Sequence, residues 1–156
     1  MTDTELRVAN LIRDAFQGVR LGNGVGLFEA QGLDEYAGSE TLKRYRAGDE
    51  KDDWSRIGRA DLEGCDSSLG FFDQEGMRFH LPAYLIADLE DATGSILFCL
   101  CYVGHNIAPQ FALLNRSQRH AVREFLWLRL SEPDREFERP MIEHALLEYW
   151  MTPEDE

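Results

Sequence analysis

The stretch LGFFDQEGMRFHLPAYLIA, residues 69–87, is the part of the sequence around which the other segments are arranged. Residues 73–76, Asp-Gln-Glu-Gly, favour a turn, because aspartate hydrogen-bonds to nearby backbone and glycine adopts positive φ without strain. Apolar and polar residues then alternate over 77–81, a pattern that predicts a short extended segment. Pro82 suits the first turn of a helix, where its missing N–H has no partner to lose. We therefore predict a turn, a short strand and a helix that begins at Pro82, all in the middle of the core.

Most other segments show the periodicity of amphipathic helices. Helices are predicted from Thr2 or Thr4 to Val19, over 27–36, 39–48 and 117–130, and from Pro140 to Trp150. The acidic run 49–53 is placed to cap a further helix that carries Trp54, because carboxylates interact favourably with the positive end of a helix. The uninterrupted apolar run 95–103 fits a buried strand or a core helix, and its length favours the strand only slightly.

These patterns predict a single globular domain over 1–156, with a frayed tail at 152–156. The sequence contains no repeats and no flexible linkers, and a chain of 156 residues can bury a sizeable core. We expect a mainly α fold, compact and helical, with at most a small two- or three-stranded β element near 77–81 and 95–103.

Four short motifs resemble a bacterial family defined only as a domain of unknown function, the DUF6714 group. They are WSRI at 54–57, FDxEGxRFxLPAY at 72–84, QF at 110–111 and SQR at 117–119. The resemblance covers roughly residues 11–130 and implies a small, soluble bacterial protein. It implies no activity, cofactor or catalytic residue. His80 stands where similar sequences are expected to carry an aromatic residue such as tyrosine, so the resemblance gives this histidine no mechanism.

The chain is acidic, with a formal net charge of −13. A surface that follows a nucleic-acid backbone needs a dense cationic patch, and the overall charge opposes one. The same charge argues against binding to anionic membranes, and the longest apolar run, 96–103, is too short to span a bilayer. We therefore expect no nucleic-acid or membrane partner. The acidic surface either provides solubility alone or suits a basic protein partner.

Cysteine content and the first residues indicate the compartment. Three cysteines cannot all pair, and Cys99 and Cys101 lie in an apolar run, which indicates reduced thiols. The first residues, MTDTELR, lack the basic and apolar regions of a secretion signal. The sequence thus predicts a cytoplasmic protein.

The polar residues of the central stretch form one candidate site: Asp73, Glu75, Arg78 and His80. Two carboxylates with an arginine and a histidine could perform acid–base chemistry if they lined a cleft. The alternative is structural, with Asp73 capping the turn and Arg78 paired with a carboxylate. Location separates the two, since a convergent buried cleft would favour catalysis and a solvated turn would not.

The glycines at 22, 24 and 26 invite comparison with a phosphate-binding loop. They follow a predicted helix rather than a strand, and they lack the Lys-Ser/Thr of a P-loop and the spacing of a dinucleotide fingerprint. A connector between two helices is the favoured interpretation.

Arginines gather on and around one predicted helix of this otherwise acidic chain, at Arg116, Arg119, Arg123 and Arg129. Such a cluster could receive a carboxylate or phosphate group, and the first three are the candidate binding residues. The alternative is that they pair internally with the acidic surplus.

No set of residues predicts a metal or a cofactor. His120 with Glu124, and His144 with Glu148, lie one helical turn apart, a geometry shared by metal ligands and surface ion pairs. No nucleophile motif is present either.

We expect a non-catalytic, acidic protein-interaction domain, such as an immunity- or antitoxin-like neutraliser of a basic protein. The alternative is a small enzyme or ligand-binding protein that uses the cluster at 73–80. The sequence does not decide whether the protein is an enzyme, although the lack of a catalytic motif favours a protein without activity.

Overall fold

A computed structural model describes residues 1–91, 95–102 and 108–151. Its helices are α1 (Asp3–Ala15), α2 (Leu27–Asp34), α3 (Ser39–Gly48), α4 (Arg59–Gly64), α5 (Gln74–Glu90), α6 (Ser95–Cys101), α7 (Arg116–Leu130) and α8 (Arg139–Ala145). Short 3₁₀ turns occupy Trp54–Arg56, Asp66–Gly70, Ala108–Phe111 and Pro133–Arg135, and one π-helical turn, Leu146–Trp150, extends α8. No strand occurs in the described part of the chain. The predicted mainly α, helical fold is confirmed.

Helix α5 is the centre of the molecule. Its buried residues cover every side of the helix: Gly76, Met77, Phe79, His80, Leu81, Pro82, Ala83, Tyr84, Leu85, Asp88 and Leu89. Helices α1, α4 and α6 and the Trp54–Arg56 turn pack around it. A helix enclosed in this way is apolar all round rather than on one stripe.

The enclosure of α5 explains a wrong prediction. Residues 77–81 are helical, not extended, and Pro82 lies inside α5 rather than at its start. Alternation of polar and apolar residues normally separates a core face from a solvent face, but here both faces of the segment meet protein. Arg78 and His80 are therefore enclosed polar residues within α5 and do not mark the outer side of a strand. Asp73 begins the helix instead, as its N-cap.

The apolar run after residue 95 is also helical. Ser95–Cys101 forms α6, so the slight preference for a strand was wrong; residue 103 lies outside the described residues. Two residues that are two positions apart on a helix are separated by a rotation of about 200° around the helix axis, so Cys99 and Cys101 lie on different sides of α6. Cys99 and Cys101 are both buried free thiols, and burial raises the pKa of each to about 12.

Helices α1 and α7 match their sequence patterns because both are amphipathic and capped. Thr2 accepts a hydrogen bond from the backbone N–H of Glu5 at 3.1 Å, which satisfies one of the free amides at the start of α1. Asn115 and Gln118 form a reciprocal capping box at the start of α7. These two helices pack against each other on one side of α5. The predicted fraying of 152–156 lies outside the described residues.

One buried ion pair joins α7 to α5. The guanidinium of Arg129 donates to Asp88 Oδ1 at 2.8 Å, to the Asp88 carbonyl at 2.8 Å and to Glu132 Oε1 at 2.6 Å. Burial alone would lower the pKa of Arg129, but the bonds to Glu132 and Asp88 outweigh it and raise the pKa. Arg129 is thus a core residue that pairs internally with acidic side chains, as one of the two interpretations of the arginine cluster proposed.

None of the helices in the described segments has both the length and the apolar composition that crossing a bilayer requires.

Candidate functional site

The glycine-containing turn at 22–26 lies against the start of α5. The backbone N–H of Asn23 donates to Glu75 Oε2 at 3.1 Å, and that of Val25 donates to Asp73 Oδ1 at 3.0 Å. Amides that a phosphate loop would direct at its ligand therefore already bind carboxylates, whose charge would repel an anion. The turn connects α1 to α2, as the favoured interpretation proposed.

The 22–26 turn packs so closely against the first turn of α5 that position 76 of the helix must be glycine. A Cβ on Gly76 would lie 2.7 Å from the carbonyl oxygen of Val25 and 2.8 Å from Asp73 Oδ1. Asp73 Oδ1 accepts the N–H of Gly76 at 2.8 Å and so caps α5. A methyl group here would separate the turn from the helix.

We expect Gly76→Ala to lower the free energy of unfolding by about 2 kcal/mol, because overpacking costs more than the helix propensity of alanine returns. Gly64→Ala, also in a helix but with nothing within 4 Å of its added Cβ, is the matched control and should raise stability by about 0.5–1 kcal/mol. Urea unfolding followed by circular dichroism measures both. A stabilised Gly76→Ala variant would contradict the close contact.

His80 is enclosed by the core. Its Nδ1 donates to the carbonyl of Gly76 at 2.7 Å, and its ring stacks on Phe72 with centroids 4.3 Å apart and planes within 3°. Because Nδ1 carries the proton, Nε2 is an acceptor, and it is buried with no hydrogen-bond partner among the described residues. Burial lowers the pKa of His80 to about 4, so the ring is neutral near pH 7.

The four candidate residues of the central cluster do not converge. Asp73 and Glu75 face the 22–26 turn, whereas His80 faces Phe72 inside the core. Arg78 is half-buried, and its Nε is enclosed without a hydrogen-bond partner in the part of the chain that the structure describes. It forms no ion pair with a carboxylate of the described residues, so the pairing suggested for Arg78 is not found there. The cluster has the geometry of a capped helix start, not of a catalytic cleft.

The candidate arginines of α7 divide between two environments. Arg116 and Arg123 line a cleft of about 420 Å³ together with Ser117 and His120. Arg119 instead lies over Trp150, with its guanidinium carbon 5.0 Å from the ring centroid. The structure thus brings two of the three predicted residues together and adds His120, which the sequence marked only for its spacing to Glu124.

The opposite wall of this cleft is the face of α1 formed by Leu11, Asp14 and Ala15. Two of these side chains are apolar and one is acidic. We call the space between the two walls the α1–α7 cleft.

A second surface was not singled out from the sequence. Phe98 and Tyr102, on and just after α6, stack with ring centroids 5.2 Å apart and are 56% and 60% exposed. Phe98 borders a largely apolar groove of about 430 Å³ whose opposite wall is the turn Asp66–Gly70. We call this the α6 groove. The sequence does contain an indication of this surface, because a helix over 95–101 places Phe98 on the side opposite to the buried residues Ile96 and Leu100.

An acidic side chain borders the α6 groove. Asp66 lines it, and Ser95 Oγ donates to Asp66 Oδ2 at 3.1 Å across it. The groove is therefore apolar at its base and negative at its edge.

Metal ligands do not cluster in the described ranges. Within residues 1–91, 95–102 and 108–151, no group of three histidine, cysteine, aspartate or glutamate side chains could hold a metal ion.

The chain belongs to the family of unknown function DUF6714, whose family model matches residues 4–154 of the 156. The resemblance stated from the motifs is confirmed. No curated protein and no solved structure matches the chain significantly.

Proposed function

We propose that this chain is a non-catalytic, acidic interaction domain of the bacterial cytoplasm that binds a basic protein through the α6 groove. An immunity- or antitoxin-like neutraliser is the kind of protein that such a domain suits. The observation that carries the proposal is the stacked and mainly exposed pair Phe98 and Tyr102 beside an apolar groove with an acidic edge.

Exposed aromatic side chains support binding to a protein. Large apolar side chains that remain in water give up the free energy of burial, and exposed apolar patches mark interaction surfaces. Aromatic residues are also enriched among the residues that contribute most to protein–protein affinity. Phe71, 41% exposed and adjacent to Gly70 of the groove wall, extends the apolar surface.

Charge determines the expected partner. The chain carries −13 overall, and Asp66 lies within the groove lining itself. A partner segment that presents an apolar side chain flanked by lysine or arginine would bury the first in the groove and place the second beside this carboxylate. Such electrostatic complementarity increases the association rate and excludes acidic competitors.

The alternative function, an enzyme or ligand-binding protein built on the 73–80 cluster, is supported by no observation at those residues. Asp73 and Glu75 bind backbone amides, and His80 is enclosed against Phe72.

The proposal predicts that the double variant Phe98→Ser/Tyr102→Ser captures its basic partner from host lysate at least about tenfold less than the unmodified chain, since losing aromatic anchors costs about 2 kcal/mol or more. The matched control is Tyr36→Ser/Phe137→Ser, which removes one Tyr and one Phe that are 96% and 98% exposed elsewhere. Quantitative mass spectrometry of affinity captures at low and high salt gives the measurement.

A basic protein retained by the control, lost by the double variant and weakened by high salt is the expected result. Equal capture by both variants, or capture of partners without excess positive charge, would contradict the proposal. Circular dichroism of each variant verifies that the fold is intact.

A further inference from the structure

We infer that the α1–α7 cleft binds the oxyanion group of a small organic phosphate or carboxylate. This site is separate from the α6 groove and does not depend on the proposed partner. The cleft, at about 420 Å³, falls in the size range of small-molecule sites, roughly 300–1,000 Å³.

Two arginine side chains, Arg116 and Arg123, line this cleft although the chain as a whole is strongly acidic. Arg116 has no ion-pair partner among the described residues, so its guanidinium is available for a bidentate contact with an oxyanion. Arg123, which donates to the carbonyl of Trp150 at 3.1 Å, is held in place at the cleft wall by that bond. The guanidinium of Arg116 at this concave surface favours an anionic ligand.

The backbone adds neutral donors at the same wall. Asn115 Oδ1 accepts the N–H of Gln118, and the Asn115 carbonyl accepts that of Arg119. As in the first turn of any helix, the N–H groups of Arg116 and Ser117 have no acceptor within α7 itself. Ser117 lines the cleft at the same helix end. Arginine, hydroxyl and backbone N–H groups are the donors that bind phosphate and carboxylate in proteins.

Negative groups near the cleft set the orientation of the ligand. Asp14 lies on the α1 wall and disfavours a second anionic group there, but it can accept a hydrogen bond from a ligand hydroxyl or amine. Glu124 lies 3.8 Å from His120 Nε2 and 3.5 Å from Arg7 Nη2, beside the cleft rather than in its lining. The oxyanion is therefore assigned to the Arg116 and Ser117 side.

The apolar part of the α1 wall indicates an organic ligand rather than inorganic phosphate alone. Leu11 and Ala15 are half-buried and line the cleft opposite the donors. A ligand that spans the cleft would place its oxyanion on α7 and its carbon skeleton against α1.

The test is a two-dimensional ¹⁵N–¹H NMR titration with phenyl phosphate, benzoate and inorganic phosphate, each at constant ionic strength. We expect saturable shifts that centre on the amides of Arg116, Ser117 and His120, with phenyl phosphate or benzoate binding more tightly than inorganic phosphate. Arg116→Gln should weaken binding about tenfold, because it removes a charge-assisted hydrogen bond. Arg56→Gln, an exposed arginine outside the cleft, is the control and should leave affinity unchanged.

Two results would overturn the inference. One is the absence of saturable, localised shifts with all three probes. The other is equal weakening by Arg116→Gln and Arg56→Gln, which indicates general charge screening. Binding of phenyl phosphate alone or benzoate alone supports the site and identifies which oxyanion it prefers.

Discussion

Arg129→Met is expected to lower the free energy of unfolding by about 3–5 kcal/mol, the largest effect of any single substitution considered, because it leaves a buried carboxylate without its counter-ion. Asp88 is 1% exposed, and Arg129 Nη2 donates both to its carboxylate and to its carbonyl. The same guanidinium also binds Glu132 and lies 5.3 Å from the ring of Phe125. The substitution therefore disconnects α7 from the central helix.

Arg56→Met, in which an exposed arginine loses a 3.8 Å pair with Asp53, is the control and should change stability by no more than about 1 kcal/mol. The double variant Asp88→Leu/Arg129→Met should be more stable than Arg129→Met alone, since neither charge then remains buried. Urea unfolding at pH 7 measures all three. A loss below about 1 kcal/mol for Arg129→Met would show that the pair does not hold α7 to α5.

Acidification is expected to destabilise the protein by about 3 kcal/mol through His80 alone. Burial lowers the pKa of His80 from its ordinary value of 6.5 to about 4, so between these values the unfolded chain binds a proton that the folded chain does not. The contribution of a neutral His80 is fully present above pH 6.5 and falls progressively as the pH decreases towards 4.

Denaturant unfolding at pH 7, 6, 5 and 4.5 measures this dependence. His80→Gln should remove about 2 kcal/mol of the pH dependence between pH 7 and pH 4.5, whatever its effect on stability at pH 7, because glutamine does not titrate there. His144→Gln, at an exposed position of α8, should keep the dependence of the unmodified chain. An unchanged slope in His80→Gln would contradict a buried neutral imidazole.

The sequence predicted best those elements whose stability is local. Thr2 and Asn115 cap α1 and α7 within a few residues of themselves, and both helices show one apolar face. Such features are readable because capping and amphipathicity depend on residues three and four positions apart.

Helix α5 could not be predicted fully because its pattern depends on neighbours that are distant in sequence. Pro82 indicated a helix start, yet the helix begins eight residues earlier, at Gln74, and continues through the proline. Packing on all sides stabilises α5 despite the hydrogen bond that Pro82 cannot donate. Rules that use only residues close together in the sequence cannot predict this packing.

In the acidic run 49–53, one cap was predictable from the local sequence and another was not. Asp53 caps the turn that carries Trp54, as the local pattern predicted, by accepting from the N–H of Ser55 at 3.0 Å. Asp49 instead accepts from the N–H groups of Phe28 and Glu29 and caps α2, about twenty residues back along the chain. No spacing in the sequence indicates that contact.

The candidate sites were predicted in part for related reasons. The arginines of α7 were identified by type, but which of them line a cleft depends on rotation about the helix relative to α1 and to Trp150. The α6 groove required knowing that 95–101 is a helix, since on a strand Phe98 would have shared a face with Ile96 and Leu100.

The central claim is that the α6 groove is the surface that receives a basic protein. Amide hydrogen–deuterium exchange of the chain, alone and with the basic protein that it captures, tests this claim most directly. The account predicts slower exchange in the turn Asp66–Gly70 and over 95–102, with little change in α3 and at 116–123. Protection confined to α3 or to the α1–α7 cleft, with the α6 groove unchanged, would contradict it.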